Sequence, residues 1–427
     1  MGLLILLGVF GAGVVIGLPV AFAMGIAAAS AMWYDSFGLL TTFQQATAGI
    51  TAKSLLAIPF FVFAGELMLH GGIATRLVKL AQALVGHFKG GLAMVNIFSS
   101  MLFGGISGSA VADISALGSI LVPVMKERGY RPDFAVNVTV TSSIAGIVIP
   151  PSHNMIIYVV AAGSGVTVSK MFLAGVIPGV MMCICIAIAA YILSIKHNYP
   201  ADPFPGWNTV RSTAFDAIPG FFTAVIIVGG TLSGWFTVTE SGAFGAIYAL
   251  LLTKFYYKSL SLDSFKRSVV GTVRTTSMVM VLIAFAKSFA YLLAIYSVPE
   301  LLSSALITIS DNPIIILLMI NLILLMLGMI MDMAALILIC TPIFLPIAVG
   351  LGMDPAQFGI MMLVNLGLGL CTPPVGTCLF VGCAVGKIKI ESALKSIWPF
   401  YLALLGALVL VTFIPAVSLW LPAVFAK

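Results

Sequence analysis

The stretch Gly104-Gly105-Ile106-Ser107-Gly108-Ser109-Ala110-Val111-Ala112-Asp113 decides how this chain is built. Met101-Leu102-Phe103 precedes it and Ile120-Leu121-Val122 follows, so glycines, serines and a carboxylate sit inside sequence otherwise fit for hydrocarbon. Unwound backbone at membrane depth persists only where protein or a water-filled cavity covers it. Downstream, Ile149-Pro150-Pro151-Ser152-His153-Asn154 repeats the pattern: proline cannot supply the helical N–H, and three polar side chains follow at once. Two interrupted segments so close together point to one polar pocket inside a membrane protein.

The second half of the chain repeats this punctuation. A shift of 223 residues lays Gly105 on Gly328, Pro123 on Pro346, Gly129 on Gly352, Pro132 on Pro355, Gly146 on Gly369 and Pro150-Pro151 on Pro373-Pro374. With a two-residue gap after the prolines, Gly165 falls on Gly386 and Pro178 on Pro399. The residues that dictate backbone path are the ones that agree, which is an internal repeat.

Composition sets the class. Of 427 residues 61% are hydrophobic and 8% charged, against about 25% charged in soluble domains. At roughly 20 residues per span, the length allows ten to twelve crossings and no sizeable soluble domain. The net charge of +6 is scattered through short loops; positive-inside bias accounts for it, and nucleic acid is not implied. The six cysteines lie in apolar segments and never form CxxC, so they read as small core hydrophobes. Met1 to Trp33 is apolar for too long, and lacks the basic start, for a cleavable signal.

In chain order, Leu3–Met32 reads as a first span, 37–51 as an interfacial segment, Leu55–Met68 as a second span, and Ile73–Phe88 as an amphipathic helix lying in the interface. A re-entrant hairpin over about 92–125 follows, then a span over about 134–163 broken at Pro150-Pro151, and a return at 171–195. Lys196–Arg211 is a polar linker. Phe215–Trp235 and Gly242–Tyr256 pair as crossings, Leu262–Arg274 is a basic amphipathic stretch, and Thr276–Ser297 spans again. Glu300–Asp311 mirrors 73–88. The second hairpin covers about 314–351 and the second broken span about 357–385, and Ile397–Val424 closes the chain.

Loop charges orient the halves. Lys89, Lys126, Arg128 and Arg131 mark the ends of the first hairpin, and only Lys170 the far loop of that repeat. In the second repeat the hairpin's ends carry Asp311 and Asp354, while the far loop carries Lys387, Lys389 and Lys395. Basic loops face the cytoplasm. The bias swaps, so the repeats are inverted, with the N-terminus cytoplasmic and Lys427 outside. The expected fold is thus an all-α polytopic membrane protein of inverted repeats, each with a re-entrant helical hairpin and a broken transmembrane helix.

In such a plan four half-helix ends converge, and their dipoles and freed carbonyls can hold an ion and a substrate. Ser107, Gly108, Ser109 and Asp113 would face Pro150, Ser152 and Asn154; Gly328 and Asp332 would face Cys371, Thr372, Pro374, Gly376 and Thr377. These are the candidate Na⁺ ligands, by side chain or backbone. Ser107, Ser109, Ser152, Asn154, Asp332 and Thr377 are the candidate substrate contacts. Oxygen-rich tips suit a hard cation, and carboxylates at that depth are costly and usually functional. No other cofactor is expected.

At these residues the chain resembles the large membrane subunit of the tripartite ATP-independent periplasmic (TRAP) transporters. The resemblance covers nearly the whole sequence and rests on GGISGSAVAD, the LVPVMKERGY loop, IPPSHN with its partner CTPPVGT, and the intervening GMIMDMAA. It implies a Na⁺-driven secondary carrier in a bacterial inner membrane, not an enzyme. Such a carrier receives an organic acid from a soluble periplasmic binding protein and works beside a small four-helix membrane subunit, here a separate chain. Sialic acid is the preferred cargo from overall likeness, with C4-dicarboxylates the alternative. The family's elevator plan implies scaffold segments at 1–91 and 197–310, and transport segments at 92–196 and 311–427.

Blander readings compete at several positions. Gly104–Gly108 could serve close helix packing, Pro150-Pro151 could be a kink, and Asp113 and Asp332 could be structural pins held by hydroxyls. His153 reads as a donor to backbone, Met326–Met333 as adaptable packing, and Glu66, Glu240 and Lys287 stay unassigned. Gly105-Ile106-Ser107-Gly108 also matches the GxSG of rhomboid-type intramembrane serine proteases, with His153 as base, but a protease has no use for a second hairpin. A stand-alone Na⁺-coupled anion permease is a further alternative. ATP drive is not indicated, because no GxxxxGK[ST] occurs. The inverted topology is open to thiol labelling in cells: a cysteine at Asp354 is expected to react with impermeant reagent from outside, and one at Arg128 only after the cytoplasmic face is opened.

Overall fold

The repeated glycines and prolines divide each repeat into helices at the places expected of them. A computed structural model describes residues 1–425, apart from the side chains of Leu39, Lys53 and Ser164; Lys427 lies outside the described residues. Every regular element is a helix. The first group is α1 (Gly2–Ile16), α2 (Val20–Tyr34), α3 (Leu39–Ile50), α4 (Ala57–His70) and α5 (Ile73–Val85). The expected single span over Leu3–Met32 is two short helices, because Gly17 takes a left-handed conformation (φ 87°) and Pro19 follows it. On α5, Ile73, Ala74, Leu77, Val78 and Ala81 are buried along one face, as its periodicity requires.

The first hairpin descends through α6 (Gly91–Ser107), turns at Gly108 and Ser109, and returns through α7 (Ala110–Asp113), a π-helical turn (Ile114–Gly118) and α8 (Ser119–Glu127). The broken helix is α9 (Pro132–Ser143), α10 (Ala145–Val148) and α11 (His153–Ala162), with a bend of 49° at the prolines. α12 (Val168–Lys196) recrosses. After the linker come α13 (Trp207–Leu232), α14 (Val238–Leu251), α15 (Leu262–Ile295) and α16 (Val298–Ile309). Here the basic stretch 262–274 and the span from 276 are one continuous helix of 34 residues; the polar run Arg274-Thr275-Thr276-Ser277 marks a change of surroundings, not a break.

The second repeat follows the same path: α17 (Pro313–Gly328), α18 (Met333–Gly350), α19 (Pro355–Leu370) and α20 (Thr377–Gly386). α21 (Ile390–Leu394), α22 (Trp398–Phe413) and α23 (Pro415–Phe425) complete the described chain. The closing span is therefore two helices that meet at 58° before Pro415. Both Pro150-Pro151 and Pro373-Pro374 bonds are cis. Among the described residues four helices are individually long and apolar enough to cross a membrane, or up to seven if each bent pair is one span. Shorter apolar helices, Gly2–Ile16 and Val20–Tyr34 among them, stand outside that count.

Packing falls into two groups. α4 lies on α14 and α15, α15 on α2 and α3, and α13 on α14 and α5. Each hairpin lies on its own broken helix, α6 on α9 and α10, α17 on α19, and the repeats interlock through α9 with α20 and α12 with α19. The two groups meet where α15 crosses α18 and α4 crosses α6. Two cross-repeat ties show the inversion directly. Lys126, at the base of hairpin one, donates to the Gly386 carbonyl at the far end of broken helix two. Lys170, at the far end of broken helix one, pairs at 2.7 Å with Asp354 at the base of repeat two.

Hairpin and broken helix cross on glycine in both repeats. A methyl on Gly104 would lie 2.3 Å from the Gly146 Cα, and one on Gly369 would lie 2.6 Å from the Gly328 carbonyl carbon. Buried side-chain hydrogen bonds lock the same crossings. Asn96 donates to Thr139 at 2.6 Å, Ser100 and Ser142 share a bond of 3.0 Å, and Asn365 donates to the Asn321 side chain at 2.8 Å. Overfilling a packed interior costs about 1–3 kcal/mol. Gly146→Val is therefore expected to lower the melting temperature of the purified protein by several degrees or abolish its folding, whereas Gly8→Ala, with open space around it, is expected to leave melting unchanged.

Candidate functional site

The tip of hairpin one rests on a glycine that only a left-handed backbone satisfies: Gly108 has φ 62° and closes α6 through its N–H to the Gly104 carbonyl at 2.9 Å. A methyl there would come within 3.2 Å of the Pro151 carbonyl oxygen, so tip and helix break are in direct contact. Ser109 then caps the returning arm, accepting from the Ala112 N–H at 3.4 Å. In hairpin two, Asp332 caps α18 by accepting from the Ala334 N–H at 3.0 Å. The sequence shift pairs these two residues, and the structure gives them the same task.

Asp113 lies beneath the first tip, 1% exposed. One carboxylate oxygen accepts from the Ser107 hydroxyl, while the other, Oδ2, is buried with no hydrogen-bond partner. Its nearest wall is Gly146, where a methyl would sit 2.7 Å from that oxygen. Pro150 and Pro151 have no N–H, so the carbonyls of Gly146 and Ile147 lack their helical donors. The orphaned carboxylate oxygen, packed against the Gly146 backbone, is an acceptor short of a donor or a positive charge. Ser152, behind the break, is also buried with an unpartnered hydroxyl.

In repeat two the Val375 N–H donates to the Met329 carbonyl at 3.0 Å, tying the break to the tip. Gly376 (φ 38°) leads into α20. Two predicted ligands here are already engaged. The Cys371 thiol donates to the Val140 carbonyl at 3.6 Å and its own carbonyl accepts from Tyr401 at 2.5 Å. Thr372 turns its hydroxyl back to the Leu368 carbonyl at 2.8 Å. Gly328 serves the glycine crossing.

The repeats meet at a cavity of about 380 Å³ lined by Ser109, Asn154, Asp332 and Thr377, with His153 at the start of α11. Its opposite wall is α15, through Thr275, Met278, Val279 and Leu282. A second cavity of about 320 Å³ adjoins it, lined by Ser107, Ser109, His153 and Thr275, with Glu66 at its edge. Four of the six predicted substrate contacts therefore face the first cavity and Ser107 the second, while Ser152 lines neither. The α15 wall was missed in the sequence because those residues are mostly apolar; the hydroxyl pair Thr275-Thr276 inside a long helix was the available signal. Glu240 belongs elsewhere, in a capping box with Thr237. Ser107 bonds to Asp113, and no hydrogen bond joins it to His153 among the described residues, so the serine–histidine pair of a protease is not assembled.

Residues 7–417 match the DctM component of the tripartite ATP-independent periplasmic transporters. The chain belongs to this family. Among its relatives, the sialic acid TRAP large permease SiaM of Vibrio cholerae is 38% identical over 96% of both chains. The 2,3-diketo-L-gulonate TRAP large permease YiaN of Escherichia coli is 38% identical over 97% of both. The C4-dicarboxylate TRAP large permease DctM of Rhodobacter capsulatus is 34% identical over 99% of both. These DctM relatives are transporter permeases and not enzymes, as expected for this chain. The YdaH transporter of Alcanivorax borkumensis shares the fold, with a TM-score of 0.64 at 15% identity over 90% of this chain and 88% of its own.

The cavity is open to chemical mapping. With the six native cysteines replaced, cysteines at Ser109, Thr275 or Thr377 are expected to react with a small charged thiosulfonate in the purified protein. One at Thr141, fully buried, is expected to stay at least tenfold slower. Rates at the three cavity positions as slow as that at Thr141 would mean that the cavity is closed to water.

Proposed function

We propose that this chain is the carrier subunit of a Na⁺-coupled importer of an organic acid, handed over by a soluble periplasmic binding protein and moved by an elevator displacement of the two repeats. The supporting observation is the pairing of a buried carboxylate oxygen with no partner, that of Asp113, with a cavity lined by both repeats. About 380 Å³ falls within the ordinary range for small-ligand sites.

The charge balance of that cavity favours coupling to a cation. Its lining contains Asp332 and His153 but no lysine or arginine. An acid entering it meets the positive ends of α11, α18 and α20, which together offset less than a full charge per end. Hard cations held by Asp113, Asp332 and neighbouring backbone oxygens would supply the remainder, so anion and Na⁺ each improve the site for the other. The relatives named for sialic acid, diketogulonate and C4-dicarboxylates share a carboxylate and little else, and that group is the cargo feature assigned here. Sialic acid is the first cargo to test. A small four-helix subunit is expected to buttress the α1–α4 and α13–α15 group in the bacterial inner membrane, with basic loops inward.

Proteoliposomes holding the chain with its small subunit are expected to accumulate acid only with an inward Na⁺ gradient and the loaded binding protein. Asp113→Asn and Asp332→Asn are each expected to raise the half-activating Na⁺ concentration at least about tenfold, the loss of one charge-assisted contact. Uptake at an unchanged rate without the binding protein would instead favour a stand-alone permease. An unchanged Na⁺ titration in either variant would remove that carboxylate from the coupling site.

A further inference from the structure

The central cavity has no basic side chain, yet α15, which walls it, carries one a short way along. Leu282 lines the central cavity, and Lys287 lies five residues further, about 8 Å up the helix. There it lines a separate cavity of about 400 Å³ between α3, α15, α11 and the outgoing arm of hairpin two. Ile283, Ala286 and Ala290 share the wall with Val160, Ala161, Leu338 and Pro342, and the polar groups are Lys287, Gln45 and Tyr291.

An ammonium inside an apolar segment normally pairs with a carboxylate or reaches the interface. Lys287 has no such carboxylate partner. Among the described residues it has no ion pair or hydrogen bond, and neither the Gln45 amide nor the Tyr291 hydroxyl has a partner. Its root is fixed, because α3 crosses α15 at Gly49, where a methyl would lie 2.8 Å from the Lys287 Cβ. The lysine is eight residues, about 12 Å, from the end of α15. That end is the one opposite Lys254, Lys258, Lys266 and Arg267, hence the periplasmic one by loop charge.

We propose that this cavity is an outer anion site, in which Lys287, with Gln45 and Tyr291, receives a carboxylate on the periplasmic side before it reaches the tips. It rests on the organic-acid reading above. One ammonium and two neutral hydrogen-bonding groups match a single carboxylate, whose two oxygens can take the charge-assisted bond and the amide or hydroxyl bond together. The apolar remainder of the wall accepts the carbon skeleton without prescribing it. The site is a positioning station on the scaffold side, distinct from the Asp113 and Asp332 tips, and it raises the local concentration of anion where the central cavity has no cation of its own.

Two measurements test it. In the purified complex of this chain with its small subunit, acylation of Lys287 by a water-soluble succinimidyl ester is followed by mass spectrometry. N-acetylneuraminate, 2,3-diketo-L-gulonate or succinate is added, with sodium chloride at equal ionic strength as reference. At least one acid is expected to slow acylation of Lys287 roughly threefold or more while leaving Lys196 unaffected; equal rates with all three acids overturn the site. In proteoliposomes, Lys287→Gln is expected to raise the half-saturating concentration of loaded binding protein or acid roughly tenfold. The maximal rate should stay within about twofold, and Lys287→Arg should recover most of the loss. Unchanged half-saturation in Lys287→Gln overturns the proposal while the importer reading stands. If the unsubstituted complex accumulates none of the acids, the importer reading fails, and the acylation experiment, which needs no transport, still decides the lysine site.

Discussion

Backbone against backbone at two glycine crossings is the contact on which the rest of this molecule depends. Where α6 meets α10 and α17 meets α19, no side chain can be interposed, and each hairpin tip is pressed onto the break in its own broken helix. Only at that separation does the Gly146 backbone come against the Asp113 carboxylate, and only then does Val375 reach Met329. Small residues let membrane helices approach this closely where lipid offers no hydrophobic drive for association. The buried amides and hydroxyls of Asn96, Thr139, Asn321 and Asn365 fix the angle of approach. The packing reading of Gly104–Gly108 and the polar-site reading are therefore not rivals: the packing makes the site.

Charge is divided unevenly across the structure. Carboxylates sit at the tips, one buried at Asp113 and one open to the cavity at Asp332, and no lysine or arginine lines that cavity. Helix ends provide partial positive charge at short range. The two repeats contribute unequal hardware through the same backbone: a serine caps one returning arm and an aspartate the other.

Much of the plan was legible because glycine and proline specify backbone. The 223-residue shift, the two hairpins and the two breaks followed from those residues alone, and the swapped loop charges gave the inversion that Lys126–Gly386 and Lys170–Asp354 display. Element boundaries failed where hydrophobicity and geometry part company. Leu3–Met32 is uniformly apolar, yet Gly17 and Pro19 divide it; 262–295 changes from polar to apolar, yet nothing in it breaks a helix. At the site, hydroxyls and carboxylates were found by type, but Cys371 and Thr372 had their partners on distant or adjacent turns that spacing does not reveal. The α15 wall is made of ordinary apolar residues and has no sequence signature beyond Thr275.

The continuity of α15 carries one more consequence. Thirty-four residues extend about 51 Å, far beyond the roughly 30 Å of bilayer hydrocarbon. The apolar portion after Arg274 is alone about long enough to cross it. The wall of the central cavity crosses the middle of this helix, from Leu282 back through Val279 and Met278 to Thr275. Lys287 is 12 residues, about 18 Å, further along. On this one continuous ruler the two cavities lie close together: Leu282, in the wall of one, is only about 8 Å along the helix from Lys287 in the other.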